Sequence, residues 1–188
     1  MPKKGTTSPS VIPSFTVSET TGGAARPLVV EDHGPSSLNK VKELFTNNHR
    51  DAALNMLNDL NEFSAEDAVI LEELGHLLMG KQEFDAASTV HRKWTELEPD
   101  SGRAFNALAA SFISANWVDL GYEAMSRAVA LEPGKAIYQL NLAKLYMLRE
   151  MWEQARIMLN NIMHTFPEEK QKVEILLEQI AQQEEGRG

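Results

Sequence analysis

The stretch His91-Arg-Lys-Trp-Thr-Glu-Leu-Glu-Pro99 decides the fold because its shape returns twice. It recurs as Met125-Ser-Arg-Ala-Val-Ala-Leu-Glu-Pro133 and as Leu159-Asn-Asn-Ile-Met-His-Thr-Phe-Pro167. The three prolines stand 34 residues apart at both steps. A fixed period of that size marks stacked units, each one helical hairpin that buries its apolar face only against its neighbours. Proline cannot continue the helix before it, so each one sets the turn into the next unit.

Counting back from the prolines gives units over 68–101, 102–135 and 136–167. In the first helix of a unit, apolar residues fall at the fourth, seventh and eleventh places: Leu71, Leu74 and Leu78, then Phe105, Leu108 and Phe112. The third unit keeps Leu142 and Tyr146 and departs from the rule at Gln139. The eighth place is small (Gly75, Ala109, Ala143), and so is the twentieth (Ala87, Gly121, Ala155), which lets the two backbones of a hairpin approach closely. A bulky residue holds the seventeenth place: Phe84, Val118, Trp152.

Outside these units the pattern weakens. Residues 1–35 carry Pro2, Pro9, Pro13, Pro27 and Pro35 among Gly, Ser and Thr, which removes any helical or strand period and reads as a disordered arm. Two apolar islands in it, Val11-Ile-Pro-Ser-Phe15 and Leu28-Val-Val30, leave docking on a groove as the alternative. Residues 36–65 give two helical stretches: Leu38, Val41, Leu44 and Phe45, then Ala52, Ala53, Met56, Leu57 and Leu60, broken by Asn47 and Asn48. Ser64, three residues before Asp67, suggests a weak capping box in which the Ser oxygen accepts an early backbone N–H. Residues 168–184 form a last helix whose stripe is Val173, Ile175, Leu176, Leu177 and Ile180; with a polar outer face it suits a cap, and 185–188 are expected to be disordered.

Small residues at places eight and twenty, bulky ones at four, seven, eleven and seventeen, and Pro at thirty-two resemble the tetratricopeptide repeat. The resemblance covers Ala68 to Pro167 and extends weakly back to Gly34, where Leu44, Ala53, Leu57, Leu60 and Phe63 fit but Lys40 and Ala65 depart, so the hairpin over 36–65 is degenerate. It implies an all-α fold: a tetratricopeptide helical-hairpin solenoid over 36–184, with three clear repeats, one degenerate N-terminal hairpin and a C-terminal capping helix. It also implies a right-handed superhelix whose concave groove holds an extended or helical peptide of another protein.

Helical period assigns the groove residues. Places two, five, six, nine, twelve and thirteen lie opposite the packing face. In the first clear repeat the candidates are Val69, His76 and Met79; in the second, Arg103, Asn106, Ala110 and Ile113; in the third, Ile137, Leu140, Asn141, Lys144, Met147 and Leu148. Ile113, Ile137, Leu140, Met147 and Leu148 make an apolar strip, and such exposed patches mark partner sites. Asn106 and Asn141 each can donate to and accept from a peptide backbone.

Two subgroups of the family can be compared. Co-chaperones that grip the acidic end of heat-shock proteins use a basic clamp; here the matching places hold Glu72, His76, Ala107, Ile137 and Asn141, which excludes that grip. The class II chaperones of type III secretion systems are small and acidic, and this chain is similar to them in size, charge, lack of Cys and apolar groove. That resemblance implies an adaptor or chaperone, with a secretion translocator as its cargo. The competing expectation is a self-associating scaffold, a homodimer included, for a secretion, pilus or organelle machine.

Bulk numbers narrow the partners. A net charge of −9 argues against nucleic acid, and no run nears the ~18 apolar residues that insert in a membrane. No apolar run of ~7–15 residues follows Lys3 and Lys4, so no signal peptide is read and the expected location is the cytoplasm. The chain has 5 His, scattered without a metal-binding pair, and no Cys; no phosphate loop or nucleophile elbow occurs. Neither an enzyme nor a cofactor or metal is expected. His91 falls at a packing place and reads as a satisfied core residue, and Trp94, Trp117 and Trp152 read as packing residues.

Overall fold

Helices can pack closely here because the residues where they cross are small. Gly75, Ala109 and Ala143 on first helices, and Ala87, Gly121 and Ala155 on second helices, are all buried. A β-carbon at Gly121 would stand 2.7 Å from Cγ1 of Ile113, so the backbone itself forms that contact. The computed structural model describes residues 36–60, 63, 64 and 66–185. All regular structure among them is helical, as the sequence led us to expect.

The helices pair in order: α1 (Ser36–Thr46) with α2 (Arg50–Asp59), α3 (Asp67–Gly80) with α4 (Phe84–Leu97), α5 (Gly102–Ser114) with α6 (Val118–Leu131), and α7 (Ala136–Leu148) with α8 (Trp152–Thr165). A 3-10 turn, Pro167–Glu169, leads into α9 (Lys170–Glu185), which packs on α8 and α7. Between the clear repeats the second helix also packs on the first helix of the next unit, α4 on α5 and α6 on α7, while in the first hairpin it is α1 that packs on α3. This is the tetratricopeptide solenoid.

The turns repeat as strictly as the prolines. Asn48, Gln82, Asn116 and Glu150 have φ of 61, 61, 64 and 59°, in the left-handed region. After each, the next N–H reaches back to a carbonyl five residues earlier: His49 to Leu44 (2.8 Å), Glu83 to Leu78 (2.9 Å), Trp117 to Phe112 (2.7 Å) and Met151 to Tyr146 (2.8 Å). This is the Schellman arrangement, which satisfies the orphan carbonyls at a helix C-terminus. Asn tolerates φ > 0; Gln and Glu do so at a cost. The first hairpin, degenerate in sequence, thus turns like the others.

The core steps along the stack. Phe45, Leu57, Leu71, Leu74, Leu78 and Trp94 belong to its first part; Phe112, Met125, Tyr138 and Leu142 to its middle; Leu140, Leu159, Ile162, Val173, Leu176 and Ile180 to its end. Burying Val173, Leu176 and Ile180 seats α9, each contributing about 1.5–3 kcal/mol over exposure. Gln139, the irregular fourth place, donates from Nε2 to the Pro133 carbonyl at 2.7 Å and so serves the turn instead of the core.

Four expectations need correction. In the Ser64–Asp67 box the donor is the Ser64 backbone N–H, which meets Asp67 Oδ2 at 2.7 Å; the acidic side chain, not the hydroxyl, makes the bond. Glu185, expected to begin the disordered end, is the last residue of the final helix, and Arg156 pairs with Glu184 beside it at 2.5 Å. Trp117 is 42 % exposed, with one face on Phe112 at 5.9 Å between centroids. His91 is buried but satisfied at one nitrogen only, since Nε2 has no partner. The apolar islands of the N-terminal arm lie outside the described residues.

Candidate binding groove

The first helices α3, α5 and α7 carry the groove candidates, and their polar members bond to each other across the stack. Asn141 on α7 donates from Nδ2 to Oδ1 of Asn106 on α5 at 3.0 Å. Each amide keeps capacity for a further partner: Asn106 its N–H donors, Asn141 its carbonyl oxygen. Arg103 on α5 reaches Glu72 on α3 at 2.9 Å and lies over the Trp94 ring at 5.3 Å from its centroid. Lys42 on α1 pairs with Glu73 on α3 at 2.5 Å. The N-terminal end of this face is therefore an ion-paired surface.

The C-terminal end is apolar and holds two open clefts on either side of α7. One, of about 370 Å³, lies between α5 and α7 and is lined by Ala110, Ile113, Ser114, Met125, Asn141, Lys144, Leu145 and Leu148. The other, of about 350 Å³, lies between α7 and α9 and is lined by Ile137, Leu140, Lys144, Lys172, Ile175 and Leu176. Lys144 belongs to both and stands between them. Leu148 is 56 % exposed, Ile137 49 % and Ile175 50 %. Large apolar side chains left this open gather around α7 and its cap.

The sequence candidates separate accordingly. Ala110, Ile113, Asn141, Lys144 and Leu148 share the first cleft; Ile137, Leu140 and Lys144 share the second. Val69 (57 % exposed) and His76 lie on α3, outside both clefts, while Arg103 and Asn106 are engaged as above. Met79 is half-buried, with its sulfur 3.4 Å from the Ser111 hydroxyl. Met147 is partly buried against the last part of the core. Leu140 is the correction: at 2 % exposure it belongs to the core beneath α9 and forms the floor of a cleft, not a free surface.

Ser114 falls at place thirteen of its unit and so on the assigned face; sequence reasoning left out Met125, Leu145, Lys172, Ile175 and Leu176. Lys172 and Ile175 stand on the cap helix, which has no counterpart in the repeat and so no assigned face. Their signal was the width of the α9 stripe: only Val173, Leu176 and Ile180 are buried, and Ile175 was left over.

Beneath the groove sits one polar contact. His91 Nδ1 and Ser111 Oγ share a hydrogen bond at 2.6 Å, and Ser111 Oγ also lies 3.2 Å from the Ala107 carbonyl oxygen. Burial pushes the His91 imidazole down to about 4; neighbouring His76 adds to this and a backbone contact at Ala107 opposes it. Among the described residues no group of three His, Asp or Glu side chains stands together as a metal site. No described helix is long and apolar enough to cross a membrane.

The family model of the ChAPs, the Chs5p-Arf1p-binding proteins, matches residues 22–185. The chain belongs to this family. Solved structures with the same fold include the Yersinia enterocolitica type III secretion chaperone SycD in complex with a peptide of the translocator YopD. That likeness has 19 % identity and a TM-score of 0.59, over 66 % of this chain and 99 % of that one. The TPR2B domain of yeast Sti1, solved as a complex with pHsp70, is 14 % identical with a TM-score of 0.60, over 63 % and 99 %. MamA from Desulfovibrio magneticus RS-1 is 16 % identical with a TM-score of 0.52, over 70 % and 76 %. At these identities the likeness establishes the tetratricopeptide fold. Comparison with curated protein sequences gives no match.

Proposed function

We propose that this protein is a non-catalytic adaptor or chaperone that holds a segment of a partner protein in the groove around α7. The observation that carries this reading is the set of exposed apolar side chains Ile137, Leu148 and Ile175 around two open clefts. A soluble surface rarely leaves such residues clustered without a partner. The family is named for proteins that bind Chs5p and Arf1p, SycD was solved with a peptide of YopD, and the Sti1 TPR2B domain as a complex with pHsp70, which supports the reading. A secretion translocator as cargo, and the cytoplasm as location, belong to this proposal as its narrower form.

Capture from native lysate tests it. Ile137→Glu and Leu148→Glu each put a charge at the wall of one cleft, at side chains that are 49 and 56 % exposed. Both variants should keep their helicity and lose the partner that the parent retains. Partner capture at parental level by both would move the site elsewhere.

A second reading, self-association, rests on Trp117, Leu120 and Ile157, which are 42, 43 and 54 % exposed and line neither cleft. Light scattering of the full chain at high concentration decides it, and a monomer there removes the scaffold.

A further inference from the structure

Lys144 differs from the other cations of the groove. Arg103 is held by Glu72, Lys42 by Glu73, and Lys172 by Glu169 at 2.6 Å. Among the described residues no carboxylate stands within ion-pair distance of the exposed Lys144. The chain carries a net charge of −9, so a cation without a partner is a local exception. It stands on the ridge of α7, with Leu148 and Ile113 in the cleft on one side and Ile137 and Ile175 in the cleft on the other.

We propose that this half of the groove takes an extended partner segment of pattern apolar–x–acid–x–apolar, the acid an Asp or Glu on Lys144 and one apolar side chain in each cleft. The inference rests on the groove being the binding site. The spacing follows from strand geometry. Residues i, i+2 and i+4 of an extended chain point the same way, and at ~3.3 Å per residue the outer two lie about 13 Å apart. Crossing one helix with its side chains needs about 10–12 Å. Two apolar side chains therefore straddle α7 while the central acid meets the ridge. A helical partner fits less well, because its i and i+4 residues are only about 6 Å apart along its axis. Each cleft is large enough for a Leu or Phe side chain. The ion-paired N-terminal half of the face, with Glu72 and Glu73, gives an acidic segment no attraction, so the charge of Lys144 also fixes where along the groove the acid sits.

Fluorescence anisotropy of the full 188-residue chain tests this with end-capped, labelled peptides. The reference peptide carries Leu-Ser-Asp-Ser-Leu at its centre. A second has Lys for Asp, and a third has Ser for both Leu. The parent should bind the Asp peptide at least fivefold tighter than the Lys peptide, and Lys144→Glu should reverse that order. The third peptide should bind neither protein. Equal binding of the Asp and Lys peptides, unchanged by Lys144→Glu, overturns the acid; if Leu148→Glu then abolishes both, the groove reading survives alone. No binding of any peptide at millimolar concentration overturns the inference, while the groove reading is judged separately by the lysate capture with Ile137→Glu. Circular dichroism confirms that Lys144→Glu, an exposed change, leaves the helices in place.

Discussion

His91 sets Nδ1 2.6 Å from the Ser111 hydroxyl, and its Nε2, lacking any partner, faces Gly75, where a β-carbon would lie 2.0 Å away. One ring thus joins α4 to α5 by a hydrogen bond and to α3 by bare contact. The site has room for a neutral imidazole and none for a hydrated imidazolium.

A pH dependence follows. The folded-state value lies at about 4, below the usual 6.5, so the folded state favours the neutral ring. Its contribution is complete above pH 6.5 and is lost as pH falls from 6.5 toward 4. The span corresponds to roughly 3 kcal/mol at most. Urea midpoints measured from pH 7.5 to 5 should fall in the parent and fall less in His91→Gln. Parallel slopes would assign the loss to other groups.

Two glycines of α3 should respond to alanine with opposite signs. Alanine is the better helix former by about 1 kcal/mol at an interior site. At Gly80 a β-carbon meets nothing within 4 Å, so Gly80→Ala should stabilise by up to that amount. At Gly75 it would strike the buried His91 ring, and overpacking of this kind costs about 1–3 kcal/mol, which outweighs propensity. Thermal melts should show Gly80→Ala above the parent and Gly75→Ala below it. In a cycle with His91→Ala, the double variant should lose less than the sum of the singles.

Gln82 holds φ at 61°, a conformation with a steric cost for any residue with a β-carbon. Gln82→Gly should relieve it and raise stability by about 0.5–1 kcal/mol, despite the freedom glycine adds to the unfolded chain. Asn116→Gly, at an equivalent turn with φ of 64°, should gain less, since Asn already tolerates that region. Denaturation midpoints of the two variants check the order.

Leu140 and Leu148 stand two turns apart on α7 and should behave as different classes of residue. Leu140→Ala empties a site in the core under α9 and should cost about 2–5 kcal/mol. Leu148→Ala, at 56 % exposure, should stay within about 0.5 kcal/mol. Calorimetry distinguishes them, and equal costs would mean that α9 does not seal that end in solution.

The regular part of this fold was legible because packing and period act on the same residues. Ala87, Gly121 and Ala155 are small where backbones meet, and the prolines index them. Position within the unit was enough to place them. It was not enough for Leu140, whose surroundings are made by α9, a helix outside the period. Nor did composition mark Gln82 and Glu150 as left-handed, because neither residue type favours that region; the backbone there is set by the stacking of the hairpin around it. Conversely, the first hairpin reads as degenerate through Lys40, which is exposed and pairs with Glu43, while Leu38, Val41 and Phe45 are fully or almost fully buried. The pairing of Asn106 with Asn141 was hidden for a simpler reason: the two positions differ by 35 residues, one off the repeat.

The left-handed residues at 48, 82, 116 and 150 carry a consequence for how such a chain changes length. A segment cut at one of them and rejoined at the next meets the same backbone conformation. Duplication or loss of one 34-residue cassette therefore asks for no new turn, only for side chains that accept a new neighbour. His91, Met125 and Leu159 occupy matching positions in successive cassettes, and all three are buried. Gly75 tolerates the ring of His91 at a distance that no alanine would allow. The backbone makes the cassettes interchangeable, and a few buried contacts keep them in sequence.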